Sequence, residues 1–159
     1  MAEKSFLTKV ACFFRRWISV TIAPYVVFKN VRIFLYRLCG YKIGKNVFIG
    51  MRCYFDDLEP KLFTIEDGAV ISYGVFFSCH GTRQTHTPIT IKKGAYVGMR
   101  SNIISGKNGV TIGENAVVGA GTLVNKDVPD GATAVGVPCR IILNEADVLN
   151  ISAASANDK

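Results

Sequence analysis

Both histidines of the chain, His80 and His86, fall inside one thirteen-residue stretch, SCHGTRQTHTPIT, at positions 78–90. Free imidazole titrates at about pH 6.5, so either ring can take up and release a proton near neutrality. General acid–base chemistry is the first use for such a pair. Cys79 lies beside His80 and raises the idea of a thiol nucleophile with its base. Neighbouring residues of an extended chain point to opposite sides, which disfavours that pair and leaves Cys79 as a small residue near the core. Metal chemistry is disfavoured too: a catalytic zinc normally takes three protein ligands, and two histidines with one adjacent cysteine lack the spacing for it. Asp56 and Asp57, in FDDLEP, add two carboxylates able to accept hydrogen bonds from hydroxyl groups. A plain surface turn accounts for them equally well.

The elements that must position these residues show in a six-residue rhythm across 41–143. Ile43 and Ile49 are six apart, as are Ile65, Ile71 and Phe77, then Ile91, Val97 and Ile103, then Ile112, Val118 and Val124. Four residues after most of them comes a small or β-branched side chain: Val47, Cys53, Ala69, Val75, Ala95, Ser101, Ala116, Thr122 and Val128. Gly44, Gly50, Gly98, Gly113 and Gly119 directly follow the large residue. Each hexad reads as a short strand with one large inward side chain, then a corner where a small one fits. Three strands close a triangular coil, and stacked coils bury a core that one repeat could not. The rhythm slips after Phe55, Phe77 and Ile103, and such insertions emerge as surface loops, often functional ones. The insertion after Phe77 is the longest and holds both histidines.

Residues 1–40 differ. Phe13, Trp17 and Val20, then Val31, Phe34, Leu35 and Leu38, recur at helical steps. Two amphipathic helices broken near Pro24 and stopped at Gly40 are expected. This segment carries seven basic residues against Glu3, whereas the other 119 residues hold 12 basic and 11 acidic ones, so most of the net charge of +7 sits here. A nucleic-acid binder would carry its basic stripe on the folded body, so that class is disfavoured. The segment suits a cap on the coil, contact with an anionic membrane, or both. Its twelve-residue apolar run, Trp17 to Phe28, is too short to span a bilayer, which takes about 20 apolar residues. Five scattered cysteines without a CxxC pair fit a reduced, cytoplasmic protein, peripheral at the inner face of the membrane where residues 1–40 rest on lipid. Residues 144–159 are expected to form a polar tail.

The hexads and the closing stretch IGENAVVGAGTLVNKDVPDGATAVGVPCRII resemble the hexapeptide-repeat acyltransferases. Within them the likeness is to galactoside and maltose acetyltransferases and to capsule and lipopolysaccharide O-acetyltransferases, over roughly residues 38–143. The resemblance implies a mainly β fold, a left-handed parallel β-helix behind an N-terminal helical segment, assembled as a homotrimer with active sites between subunits. It implies acetyl-CoA as donor, a saccharide acceptor and no metal. By likeness His80, on the strand-to-loop turn after the coil with TIEDGA, is the base. His86, six residues on, could orient the substrate or be the base in its stead, and Arg83 could recognise an anionic sugar or a coenzyme phosphate; the family places an acidic residue near the acceptor sugar, where Asp56 and Asp57 lie. Lys126 and Arg140 match cations that meet coenzyme phosphates, while Gly98, Gly119 and Ala120 would let the pantetheine arm approach the backbone. One departure stands out: ISGKNGVTIG carries about three more residues than the usual INPGVTIG form, which puts cofactor contacts around Ser105–Gly109 in question. Two rival readings remain open at this point, a non-catalytic scaffold docked on a membrane or partner, and N-acetylation of an amino-sugar nucleotide.

Overall fold

The computed structural model describes residues 6–80 and 86–143; Arg83 and the tail 144–159 lie outside them. Helix α1 (Phe6–Trp17) runs into a π-helical turn at Ile18–Ile22 and a 3-10 turn at Ala23–Tyr25, and α2 (Lys29–Leu38) follows. Pro24 sits at the break. Gly40, with φ +98°, ends the segment in a conformation that side chains resist.

Four coils then stack. The first has β1 (Lys42–Ile43), β2 (Phe48–Ile49) and β3 (Tyr54–Phe55); the second β4 (Phe63–Ile65), β5 (Val70–Ile71) and β6 (Phe76–Ser78). The third has β7 (Ile89–Ile91), β8 (Tyr96–Val97) and β9 (Asn102–Ile104); the fourth β10 (Val110–Ile112), β11 (Val117–Val118) and β12 (Leu123–Val124). Strand β13 (Thr133–Val135) begins another layer, and β14 (Arg140–Ile142) folds back antiparallel on it. All other pairings are parallel, giving three sheets ordered β1-β4-β7-β10, β14-β13-β11-β8-β5-β2 and β12-β9-β6-β3.

The hexad reading maps onto this solenoid position by position. From Ile49 to Val124 the large residues are buried, and every small corner residue from Val47 to Val128 is buried with them. Only Ile43, at the open end, is partly exposed. Helix α2 closes that end: Ile33 and Tyr36 join Tyr41, Phe55, Phe63 and Phe77 in one aromatic-rich cluster. Buried Arg32 donates to the carbonyls of Ile49 and Val26, satisfying backbone acceptors at the first coil.

The corners show a regularity that the hexads only hint at. The residue just before each small inward one from Val47 to Thr122 is left-handed, as is Gly131 before buried Ala132: Asn46, Arg52, Gly68, Gly74, Gly94, Arg100, Asn115, Gly121 and Gly131 have φ between 52° and 71°. The glycines after the large residues have another cause. A Cβ on Gly98 would lie 2.6 Å from the Ala120 nitrogen, and one on Gly50 2.6 Å from the Tyr73 nitrogen, so close coil stacking excludes it.

Candidate active site

Strands β3 and β6 lie in register in the third sheet, with Phe55 against Phe77. The chain continues past both, so Asp56 follows β3 while Ser78, Cys79 and His80 leave the corner one coil higher. This stacking brings together residues 24 apart in sequence: the Asp56 carboxylate is hydrogen-bonded to His80 Nδ1. Its Oδ2 also accepts from the Cys79 N–H at 3.2 Å, and its Oδ1 from the Leu58 N–H at 3.2 Å. Tyr41 Oη donates to the Asp56 carbonyl at 3.2 Å. Asp56 has no exposed surface, while the His80 side chain is 45% exposed.

Burial by itself pushes the Asp56 carboxyl upward. The hydrogen bonds from Leu58, the His80 ring and Cys79 outweigh it and hold the group below the ordinary carboxylate range. An ionised carboxylate only accepts, so Nδ1 of His80 carries the hydrogen and Nε2 is left with a free lone pair. Burial first, then the Asp56 charge, pushes the Cys79 thiol up to about 12. A protonated, buried thiol is a poor nucleophile, in line with the structural role expected for it.

The insertion is closed at its stem. His80 and His86 form an antiparallel bridge, and the Thr87 N–H donates to the Cys79 carbonyl at 2.9 Å. The two imidazoles stand 6.2 Å apart, edge to face. His86 is exposed, and among the described residues no carboxylate holds it. Thr87 Oγ1 bonds to Ser105 Oγ and to the Gly106 carbonyl, both at 2.8 Å, and the Ser105 N–H reaches the Ser78 carbonyl at 2.9 Å. Gly109 has φ +98°, and a Cβ there would lie 2.7 Å from the Pro88 carbonyl oxygen. The three extra residues of ISGKNGVTIG thus brace the base of the histidine loop.

Several expected site residues take other places. The surface-turn reading of the acidic pair is corrected: Asp56 is buried with its carboxylate on His80 and the backbone, leaving no oxygen turned outward. Asp57 is nearly buried and paired with Arg16 of α1, an ion pair that sequence reasoning missed because it joins the two ends of the N-terminal half. At Gly98 the space a Cβ would take is filled by the neighbouring coil, so stacking alone accounts for the glycine. Gly119 and Ala120 lie at the same corner, Ala120 exposed. Lys126 and Arg140 are both exposed; the Lys126 ammonium acts on the thiol of Cys139, next to Arg140, against the upward push of its burial. Arg140 lines a cavity of about 280 Å³ with Val135, Gly136, Val137 and Pro138. Among the described residues no contact joins these two cations to His80 or Asp56.

Comparison with known proteins places the fold. A family model described as the hexapeptide repeat of succinyl-transferase matches residues 41–78 and 88–126. "Putative acetyltransferase YvoF" of Bacillus subtilis (strain 168) is 31% identical over 138 residues, covering 84% of this chain and 78% of that protein. The chain belongs to the hexapeptide-repeat acyltransferase family. Galactoside O-acetyltransferase of Escherichia coli (strain K12) is 34% identical over 123 residues, or 67% of this chain and 59% of that enzyme. The chain spans little more than half the length of the first relatives it matches, 53% to 59%. A solved galactoside acetyltransferase in complex with coenzyme A superposes with a TM-score of 0.64 at 25% identity, covering 92% of this chain and 87% of that one. The two family-model segments stop and restart around the insertion that bears the histidines.

Proposed function

We propose that this chain is an acetyltransferase that moves an acetyl group from acetyl-CoA to a sugar hydroxyl, serving polysaccharide assembly, with His80 as the general base. The observation that carries this reading is the Asp56–His80 pair at the mouth of the longest insertion of a hexapeptide-repeat solenoid. The carboxylate fixes the ring and its tautomer, and balances the charge the ring gains when Nε2 takes the hydroxyl proton. The sugar oxygen then attacks the acyl carbon, the carbon–sulfur bond breaks, and the proton passes from His80 to the departing sulfur. Acetyl-CoA supplies the activated acyl carbon. Exposed Lys126 and Arg140 suit its phosphates, since fixed cations gain most from such groups. Arg83 and His86, on the same insertion as His80, are assigned to the acceptor side.

A homotrimer belongs to this reading. On the second sheet Phe48, Val70, Tyr96 and Val117 stack in register and point outward, three of them exposed, whereas the matching column of the first sheet is Lys42, Thr64, Thr90 and Thr111. An apolar outer column favours burial against a partner. Peripheral contact with the inner face of the membrane through residues 1–40 completes it; among the described residues no helix is long and apolar enough to cross a bilayer.

The deciding experiment follows thiol release from acetyl-CoA with a panel of saccharides, beside thermal melting. Saturating acetyl-CoA should raise the midpoint, because a ligand that binds the native state stabilises it. His80→Ala should keep the fold and the melting shift while losing transfer on the order of 10²–10⁴-fold. Full activity in that variant overturns the assignment of the base; no melting shift overturns the donor.

A further inference from the structure

We propose that the outward faces of α1 and α2 form one in-plane docking surface for an anionic lipid bilayer. This rests on the peripheral-contact reading above, and it names the surface, the lipid charge and the mode.

On α1 and the turn after it, Val10, Phe13, Trp17 and Val20 follow at steps of three, four and three residues, and all are exposed. Around α2, Val27, Val31, Phe34 and Leu38 follow at steps of four, three and four, again all exposed. Val10, Phe13 and Trp17 therefore lie along one face of α1, and Val31, Phe34 and Leu38 along one face of α2, with Val20 in the turn after α1 and Val27 in the bend before α2. Val27 and Phe28, between the two helices, are 71% and 75% exposed. The opposite face of α2 is the one that packs, through Arg32, Ile33 and Tyr36. Two apolar stripes so placed exceed the scattered exposure of an ordinary surface.

Charge selects the occupant. No acidic residue occurs between Glu3 and Asp56, while Lys9 and Lys29 are exposed at the edges of the stripes. A second copy laid face to face would bring two cationic surfaces together, since Asp57, the carboxylate lining the groove beside Phe13 and Trp17, is already nearly buried against Arg16. An anionic bilayer offers hydrocarbon for the stripes and headgroup charge for the lysines, the combination that holds amphipathic helices in the interface. The Arg16–Asp57 pair ties α1 to the turn that supplies the Asp56 carboxylate, so the helix that meets lipid is fixed beside the dyad.

Trp17 is the single tryptophan of the chain and lies in the first stripe, which gives a direct readout. The full-length protein is mixed with vesicles of phosphatidylcholine containing phosphatidylglycerol, and with phosphatidylcholine alone, and both emission and co-sedimentation are followed. A blue shift and binding with the anionic vesicles only, weakening as salt is raised, are expected. Phe13→Glu with Phe34→Glu should weaken binding by at least about tenfold, each exposed ring forfeiting its burial. Those side chains face outward, so the melting point and its rise with acetyl-CoA should be retained. Unchanged binding of the double variant, or no binding of the parent chain to anionic vesicles, overturns the proposal. So does a fall in oligomer mass caused by the same substitutions, which would assign the stripes to a second copy. In any of these cases a retained acetyl-CoA shift leaves the catalytic reading standing.

Discussion

A carboxylate without exposed surface stays ionised only where its hydrogen bonds outweigh the loss of water. Asp56 meets that condition with donors on both oxygens, so Asp56→Asn removes more than a charge. Its amide keeps a single acceptor, so either the Leu58 N–H or the Cys79 N–H together with the ring loses its partner, and the charge that would balance a protonated ring is gone. Loss of about 1–3 kcal/mol of stability at pH 7 is expected in urea melts, with a fall in turnover on the order of 10²–10⁴-fold. The sign with pH follows from the depressed carboxyl. Its contribution is complete above the unfolded carboxylate value of about 3.9 and drains away as pH falls through the lower folded value. The stability gap between parent and variant should therefore close in melts at and below pH 3–4; a gap that widens in acid contradicts the assignment. At this scale half of the site was legible. His80 was marked by the scarcity of histidine and by its insertion, but nothing local in FDDLEP says that Asp56 turns inward. Its partner is set by the register of two coils, a long-range property that no window of sequence contains.

Corners and insertions decide how the coil elements hold that register. Gly98→Ala drives a Cβ to 2.6 Å from backbone, so a coil must shift; about 3 kcal/mol of destabilisation is expected. At Gly121 a Cβ meets nothing within 4 Å, and only the left-handed φ of +66° resists it, so Gly121→Ala should lose about 1 kcal/mol. Thermal melts of the two variants separate crowding from backbone strain, and equal losses would show that stacking distance is not what excludes the side chain at Gly98. The hexads were readable because the large and the small inward positions each limit side-chain size in a fixed frame. The left-handed corners were less so: Arg52 and Arg100 occupy them with long cationic side chains, which carry none of glycine's signal. The brace between Ser105–Gly109 and the histidine stem was also hidden, because extra residues in one insertion disclose their length and not what they lean on. Thr87→Val tests that brace. It keeps the shape and removes the bonds to Ser105 and Gly106, so transfer should fall through a displaced His80 while melting changes by about 1 kcal/mol.

For the whole molecule, the distance between donor cations and dyad becomes the question. In one chain Lys126 and Arg140 share no contact with His80 or Asp56 among the described residues, so the proposed trimer has to bring the donor cations of one protomer to the dyad of its neighbour. The apolar column Phe48, Val70, Tyr96 and Val117 supplies a surface on which such a neighbour can seat. Tyr96 is exposed and outward, so Tyr96→Glu should leave the coil folded while placing a carboxylate inside the contact. Light scattering should then show the parent chain at the mass of the proposed trimer and the variant as monomers, with transfer activity lost alongside. Complementation takes the argument further. His80→Ala and Arg140→Ala are each expected to be nearly inactive as pure assemblies. In mixed assemblies, a cleft that draws Arg140 from one His80→Ala protomer and His80 from its Arg140→Ala neighbour is whole again, so co-expressed chains should recover part of the parent rate. Both groups acting from a single chain would leave every cleft of the mixture defective, and an absence of recovery in verified mixed trimers would place the complete site within one protomer.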